Sequence, residues 1–198
     1  MHQFETEAYQ KGFKYIAGVD EAGRGPLAGP VVSAAVILPE RFTHPDINDS
    51  KKLTPKKRDQ VYDVVLQSAL AVGTGICSPR EIDRYNILQA ALLSMKRAAE
   101  RLSPCPDFLL IDGKFTIDSD LDQQAVIKGD SKSISIAAAS IVAKVTRDRI
   151  MAKLHETYPE YNFIGHKGYP TKAHKAAILE FGPCPAHRQT FKGIKEVV

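Results

Sequence analysis

The 198-residue sequence predicts an α/β fold in which a mixed central sheet is flanked by helices. Two features of the chain support this prediction. Short runs rich in β-branched and apolar residues come early, and later ones alternate with longer segments whose apolar residues recur every three or four positions. The composition, with 43% hydrophobic and 25% charged residues, is that of one globular domain able to bury a sizeable core.

The first part of the chain is predicted to contain three strands and one helix. They are an apolar strand that begins near Tyr15 and ends in two carboxylates, a strand at 29–38, a helix at about 55–68 and a strand at 69–77. Residues 23–26 would form a hairpin-like connection between the first two strands. Thr54 is a typical N-cap and Pro55 suits the first helical position, so these two residues mark the start of the helix.

Strands and helices alternate in the second part of the chain. The predicted elements are a helical region from Ser78 to a loop at 103–106, a buried strand at 107–113, a shorter strand at 124–128, a long helix at about 133–157 and a short helix at 171–181. Pro159 ends the long helix and Gly182 ends the short one.

The cysteines and the N-terminal residues bear on the cellular compartment. Cys77, Cys105 and Cys184 are odd in number, widely spaced and without a C-x-x-C pair, so we expect them to be reduced and buried, not disulfide-bonded or zinc-bound. The N-terminal residues lack the basic start and apolar core of a signal peptide, and no apolar run approaches the roughly 18 residues of a membrane span. The sequence therefore predicts a cytoplasmic protein without membrane contact.

Carboxylates stand at the ends of predicted strands and can meet at one edge of the sheet. They are Asp20, Glu21, Asp112 and Asp130. Three or four carboxylates without histidine or cysteine ligands suit hard cations such as Mg²⁺ or Mn²⁺ and disfavour zinc. Two such ions can activate water and stabilise the leaving oxygen of a phosphodiester.

Individual acids leave alternatives open. Side chains alternate along a strand, so Asp20 and Glu21 reach one site only if the chain bends, or else Glu21 contributes its backbone carbonyl. Asp130 can equally cap a turn. Asp148 is either a fifth acid near the site or the helical partner of Lys144 four residues earlier, and we favour the pairing with Lys144.

Basic residues predict contacts with nucleic-acid phosphates. The net charge of +4 is modest, so the clustering of charge matters more than its total. Lys51 and Lys52 belong to a group of five cations at and just before a predicted helix start, where backbone amides also favour anions. The segment 166–171 places Tyr169 on a glycine-proline turn beside a lysine, which suits stacking on a base or sugar next to a phosphate.

Residues 23–28 formally match the G-x-G-x-x-A pattern of dinucleotide-binding proteins. That fingerprint requires a helix directly after the strand, whereas residues 30–37 predict a second strand. Arg24 and Pro26 would also crowd a pyrophosphate. We therefore expect no nucleotide cofactor.

Six motifs together closely resemble the bacterial ribonuclease HII family. They are GVDEAGRGP at 18–26, NDSKKL at 48–53, IDG at 111–113, KGD at 128–130, AASIVAKVTRD at 138–148 and HKGYPT at 166–171. The resemblance covers nearly the whole chain. It implies an RNase H-like fold with a small C-terminal helical segment. It also implies an endonuclease that cuts the RNA strand of RNA–DNA hybrids and the 5′ side of single ribonucleotides in duplex DNA, leaving 3′-OH and 5′-phosphate ends.

The resemblance also implies roles for individual residues. The catalytic, metal-binding carboxylates of the family fall on Asp20, Glu21, Asp112 and Asp130, and would hold two Mn²⁺ or Mg²⁺ ions. The substrate-binding residues would be Gly23, Arg24 and Gly25, whose backbone contacts the ribose 2′-OH, the junction-stacking Tyr169, and Lys51 and Lys52. Type III relatives usually carry lysine where Arg24 stands, so type II is favoured.

The resemblance further implies the organisation of the chain. Residues 1–181 would form the catalytic domain of a monomer, and residues 182–198 a tail packed on or near the substrate face. Two rival functions stay open. Another metal-dependent nuclease or strand-transfer enzyme on this fold would lack the 2′-OH-reading segment, and a non-catalytic nucleic-acid-binding module would not need the acidic cluster.

Overall fold

The computed structural model describes residues 1–47 and 53–197. Its strands are β1 (Ile16–Ala22), β2 (Val31–Ile37), β3 (Ala71–Cys77), β4 (Phe108–Asp112) and β5 (Asp122–Val126). Its helices are α1 (Gln3–Gln10), α2 (Pro55–Ser68), α3 (Pro79–Ala99), α4 (Ile134–Thr157), α5 (Phe163–His166) and α6 (Lys172–Phe181), with 3₁₀ turns at Gly129–Ser131 and Pro159–Tyr161. Across the described ranges, no helix combines the length and apolarity needed to cross a membrane.

The five strands form one mixed sheet in the order β3-β2-β1-β4-β5, which confirms the predicted fold class. Strand β2 is antiparallel to β1 and β3, whereas β4 is parallel to β1 and β5. Helix α4 packs directly on β1. The approach is so close that a Cβ atom at Gly18 would lie 2.1 Å from the main-chain carbonyl carbon of Ser135. Glycine at this position allows the helix to approach the strand so closely.

Both faces of the sheet are buried under helices. On β2, Ala34 and Val36 belong to the apolar cluster shared with α2 and α4, whereas Ala35 and Ile37 belong to the cluster that includes Met95 of α3. Successive side chains thus enter opposite layers of the core. This double burial explains why the strand is almost wholly apolar, and its one polar side chain, Ser33, is buried and hydrogen-bonded to the Ser94 hydroxyl.

Helix α1 was not predicted, and it anchors the start of α4. Its Glu5 is buried and accepts hydrogen bonds from the Ser133 hydroxyl and from the Ser135 hydroxyl and amide. A carboxylate at a helix N-terminus accepts hydrogen bonds from amides that have no partner within the helix, and its negative charge interacts favourably with the helix dipole. The helix has only eight residues, which is shorter than the span over which apolar periodicity identifies a helix from sequence.

Helix α3 and the loop after it differ in detail from expectation. Asn86 has φ 65° and interrupts the helix. The Asn86 Oδ1 atom then accepts hydrogen bonds from the amides of Leu88 and Gln89, where the helix starts again. The expectation of three buried cysteines is wrong for Cys105, which is exposed because it lies in the surface loop before β4.

Candidate active site

Three carboxylates converge at the edge of the sheet where β1 and β4 end. The two strands are parallel, and Val19 is in register with Ile111, so the next residues, Asp20 and Asp112, lie at the same edge. One oxygen from each of Asp20, Glu21 and Asp112 lies within 4.8 Å of the other two. The structure therefore brings together three of the four acids selected from the sequence.

Asp20 and Glu21 both reach this site although they are consecutive on a strand that continues to Ala22. Asp20 Oδ1 accepts a hydrogen bond from the Glu21 amide at 2.7 Å, which folds the short side chain forward along the chain. The Ser140 hydroxyl of α4 also hydrogen-bonds to Asp20. A side-chain oxygen of Glu21 thus lies in the cluster, so Glu21 can offer its carboxylate as well as its backbone carbonyl.

The three carboxylates repel one another in a partly desolvated site. Burial, followed by the charges of Glu21 and Asp112, raises the pKa of Asp20 well above its ordinary value. Burial also raises the pKa of Glu21, opposed by Arg24, whose guanidinium lies 3.2 Å from Glu21 Oε1. The described residues bring no imidazole or thiolate into this cluster, and mutually repelling oxygen ligands fit a hard divalent cation such as Mg²⁺ or Mn²⁺.

Asp130 lies on the 3₁₀ turn Gly129–Ser131 and is buried. In the part of the chain that the structure describes, it is not among the carboxylates within 4.8 Å of one another. The turn is nevertheless tied to the cluster, because the Gly129 amide donates to Asp112 Oδ1 at 2.6 Å. A metal-binding role for Asp130 stays a prediction.

Asp148 belongs to ion pairs outside the carboxylate cluster. Lys144 Nζ lies 2.7 Å from Asp148 Oδ1, and an Arg58 nitrogen lies 4.0 Å from Oδ2. This confirms the interpretation of Asp148 as the partner of Lys144. Lys144 and Arg58 themselves line the cleft that contains the carboxylates, so cationic groups surround the acidic cluster.

The substrate-contacting residues expected from the sequence line the same cleft of about 270 Å³. They are Gly23, Arg24, Gly25 and Tyr169. The tyrosine ring lies beside the glycine-rich segment, because a Cβ atom at Gly25 would be 3.7 Å from Tyr169 Cε1. Tyr169 is 44% exposed and the Arg24 side chain 50% exposed, so a large ligand can contact both.

Lys51 and Lys52, the expected phosphate-binding lysines, lie outside the described residues. The helix that follows them starts as predicted, with Thr54 Oγ1 accepting a hydrogen bond from the Lys57 amide at 3.3 Å. Lys57 Nζ is paired with Asp46 at 2.8 Å. This cation of the basic group thus already has a partner within the protein.

Comparison with known proteins identifies the family. The family model described as Ribonuclease HII matches residues 17–194. The chain belongs to the ribonuclease HII family. Ribonuclease HII of Syntrophus aciditrophicus is 54% identical over 192 residues, which cover 97% of this chain and 91% of that protein. Ribonuclease HII of Geobacter sulfurreducens is 54% identical over 193 residues, which cover 98% of this chain and 89% of that protein.

A solved structure supports the same assignment. The crystal structure of ribonuclease H2 from Pyrococcus horikoshii OT3 aligns with a TM-score of 0.79 at 27% identity, covering 92% of this chain and 96% of that chain. As a ribonuclease HII, the protein is a hydrolase of a metal-dependent family that acts on RNA in RNA–DNA hybrids. The alternative of a non-catalytic nucleic-acid-binding module is therefore wrong.

Two buried arginines support the loop of this ribonuclease HII that carries the glycine-rich segment. Arg188 is fully buried and donates to three main-chain carbonyls, those of Gly23, Arg24 and Gly29, at 2.5, 2.9 and 3.0 Å. Arg147 of α4 is 1% exposed and donates to the carbonyls of Pro30, Lys167 and Ala28 at 3.0, 3.0 and 3.1 Å. Both guanidiniums thus fix the main chain behind the cleft.

Neither arginine was predicted from the sequence to be a site residue. Their acceptors are backbone carbonyls, which have no signature in sequence. One signal pointed to Arg147, because it lies four residues from both Ala143 and Met151 on the buried face of α4. Arg188 offered no such signal, since it lies in a basic tail outside any regular element.

Arg188→Met is expected to lower the free energy of unfolding by at least ~2 kcal/mol, because three main-chain carbonyls, two of them in buried hydrogen bonds, lose their donor. The exposed Arg80 on α3 supplies a matched control, and Arg80→Met is expected to change stability by less than ~0.5 kcal/mol. Urea denaturation of both variants measures the difference. Equal stabilities would contradict the anchoring role of Arg188.

Proposed function

We propose that this ribonuclease HII cuts on the 5′ side of single ribonucleotides embedded in duplex DNA, as well as within RNA–DNA hybrids, with two divalent cations, Mg²⁺ or Mn²⁺. The observation that carries the proposal is the presence of the carboxylate cluster, the segment 23–25 and Tyr169 in one cleft. A phosphodiester bound at the carboxylates would then have its neighbouring ribose beside the segment that contacts the 2′-OH.

The carboxylates would bind the cations, and the surrounding residues would orient the substrate. Cations held by Asp20, Glu21 and Asp112, with Asp130 as the fourth proposed ligand, would supply activation of water and stabilisation of the leaving oxygen. Lys144 and Arg58 at the cleft favour the approach of an anionic strand. The Ser140 hydroxyl fixes the orientation of the Asp20 carboxylate.

The bond changes determine the product ends. The oxygen of water forms a bond to phosphorus and loses a proton, while the bond from phosphorus to the upstream 3′-oxygen breaks and that oxygen gains a proton. We therefore expect a 3′-OH on the upstream product and a 5′-phosphate on the ribonucleotide. Mass spectrometry of a duplex cut at one ribonucleotide identifies the ends. A 2′,3′-cyclic phosphate would instead mean that the ribose 2′-OH is the nucleophile.

Recognition of the ribose would depend on the main chain of residues 23–25. The 2′-hydroxyl both donates and accepts hydrogen bonds and distinguishes RNA from DNA. Arg188 holds the carbonyls of Gly23 and Arg24 from the buried side of the loop. The loop is therefore ordered before substrate binds, so little conformational entropy has to be lost on recognition.

Tyr169→Ala is expected to weaken cleavage at a single embedded ribonucleotide through lost stacking worth roughly 1–3 kcal/mol. The affinity for Mn²⁺ should stay nearly unchanged, because the tyrosine is not part of the carboxylate cluster. Tyr169→Phe keeps the ring and serves as the control. Steady-state cleavage of a 5′-labelled duplex measures all three proteins, and unaltered cleavage by the alanine variant would refute the stacking role.

The division of the chain into a catalytic part at 1–181 and a tail at 182–198 is also part of the proposal. Its support is that Arg188 contacts the glycine-rich loop and that His187 forms an isolated β-bridge with Ala28. Action as a monomer in the cytoplasm stays a prediction, which gel filtration and cell fractionation can check.

A further inference from the structure

A chain of hydrogen bonds connects the C-terminal segment to Tyr169 through two buried histidines. His174 on α6 is 0% exposed and His187 in the segment after α6 is 1% exposed. His187 Nδ1 accepts a hydrogen bond from the Cys184 amide at 3.0 Å. The Nε2 atoms of His187 and His174 are 3.0 Å apart. His174 Nδ1 lies 2.9 Å from the Tyr169 carbonyl oxygen.

The two ends of this chain fix its direction. The Cys184 amide can only donate, and it lies closer to His187 Nδ1 than the Cys184 carbonyl oxygen does, at 3.0 against 3.3 Å, so His187 Nδ1 carries no proton and its Nε2 carries one. A carbonyl accepts, so His174 Nδ1 carries the proton and its Nε2 accepts from His187. The rings are thus neutral and in opposite tautomers. Burial lowers the pKa of both His174 and His187 to about 4, which keeps them neutral at neutral pH.

The Tyr169 carbonyl, which ends the chain of hydrogen bonds, follows a sharply turned segment of main chain. Lys167 and Gly168 have φ of 53° and 82°. The Gly168 amide donates to Nδ1 of His166, whose ring stacks on that of His174 with centroids 4.3 Å apart. The His174 side chain therefore holds this turn by a hydrogen bond to residue 169 and by its ring contact with His166.

We propose that His174 and His187 are positioning residues that set the orientation of the Tyr169 ring beside the glycine-rich segment. The inference rests on the proposed stacking role of Tyr169. Neither histidine lines the cleft described above, so each acts on cleavage through Tyr169. The C-terminal segment, which carries His187, thereby contributes to recognition of the RNA-to-DNA junction without contacting the nucleic acid through this residue.

The test is a double-mutant cycle on DNA that contains one ribonucleotide. His174→Leu removes the donor to the Tyr169 carbonyl and should lower kcat/KM roughly tenfold. His174→Asn keeps a nitrogen donor near the position of Nδ1 and should restore most of that loss. In a Tyr169→Ala background the carbonyl is still present but the ring is absent, so His174→Leu should change kcat/KM less than about twofold. Its effect on Tm should be the same in both backgrounds.

Two outcomes overturn the inference and differ in cause. If Tyr169→Ala lowers cleavage but His174→Leu has equal effects in both backgrounds, Tyr169 stacks on the substrate but the two histidines do not position it. If Tyr169→Ala is without effect, Tyr169 has no stacking role, and the positioning role proposed for the histidines is wrong as well.

A second pair of variants does not depend on the folding of His174→Leu. His187→Asn keeps an acceptor for the Cys184 amide but cannot reach His174, whereas His187→Gln reaches His174 with an amide donor. We expect His187→Asn to lower cleavage and His187→Gln to retain it; equal activities would overturn the inference. In wild type, ¹⁵N NMR should show His174 protonated at Nδ1 and His187 at Nε2. The reverse tautomers would also overturn it.

Discussion

Asp112→Asn is expected to abolish RNA cleavage while leaving the metal-free protein at least as stable as wild type. Activity is lost because one of the three clustered carboxylates is a poorer ligand as a neutral amide. Stability is kept because the substitution removes a negative charge that repels Asp20 and Glu21. The amide oxygen can still accept the hydrogen bond from Gly129, so the neighbouring turn keeps its contact.

Thermal melts with EDTA and with Mg²⁺ separate the two effects. A cation that binds only the folded state stabilises it by about 2.7 kcal/mol at a hundredfold excess over Kd. Wild type should show this gain and Asp112→Asn should show much less. Asp118→Asn alters an exposed acid paired with Lys96 and should respond to Mg²⁺ as wild type does. A Mg²⁺ response of Asp112→Asn equal to that of wild type would place the metal site elsewhere.

The difference in Tm between Asp112→Asn and wild type in EDTA is expected to depend on pH. The pKa of Asp20 is raised in the folded state by burial first and then by Glu21 and Asp112. An acid with a raised folded-state pKa destabilises the fold as pH rises through its unfolded pKa, near 3.9, and on to the folded value. The Tm advantage of Asp112→Asn in EDTA should therefore be largest near neutral pH. It should shrink as acid protonates Asp20.

The acids at strand ends were accessible to sequence analysis for a physical reason. A buried parallel strand is a short apolar run, so the polar residue that ends it stands out, as Asp112 does after residues 108–111. Parallel neighbours end at the same edge, which brings Asp20 to Asp112 without any knowledge of side-chain packing. Asp20 and its neighbour Glu21 reach the same site with the help of a hydrogen bond from the Glu21 amide to the Asp20 side chain, and no sequence pattern predicts that bond.

Residues whose partners are main-chain atoms or distant hydroxyls were not accessible in this way. Glu5 is one of two acids in the N-terminal stretch before β1, and its burial follows only from contact with Ser133 and Ser135. Arg188 and His187 lie in a segment without periodicity, and they meet Gly23 and Ala28 only when that segment folds back on the loop after β1. Sequence patterns describe single elements, whereas these roles come from the packing of several.

Gly23→Ala is expected to cause the largest combined loss of stability and specificity outside the carboxylates. Gly23 has φ +99°, a conformation that costs an alanine about 1–2 kcal/mol. Its Cβ atom would also lie 2.1 Å from Nε of Arg147, so that arginine would have to move and weaken its hydrogen bond to Pro30. Crowding of this kind costs a further ~1–3 kcal/mol.

Gly12→Ala separates the two costs, because Gly12 has φ +97° and a Cβ atom added there would meet no atom of the described residues within 4 Å beyond its chain neighbours. We expect it to lose only the ~1–2 kcal/mol of the backbone conformation and to cleave normally. Gly23→Ala should lose about 2–5 kcal/mol in urea denaturation. It should also lose discrimination between ribose and deoxyribose, because an alanine at position 23 shifts the main chain of residues 23–25, which is proposed to contact the 2′-OH. Equal stability losses in the two variants, with cleavage of single ribonucleotides intact, would show that the packing of Arg147 against Gly23 does not set the geometry of the loop.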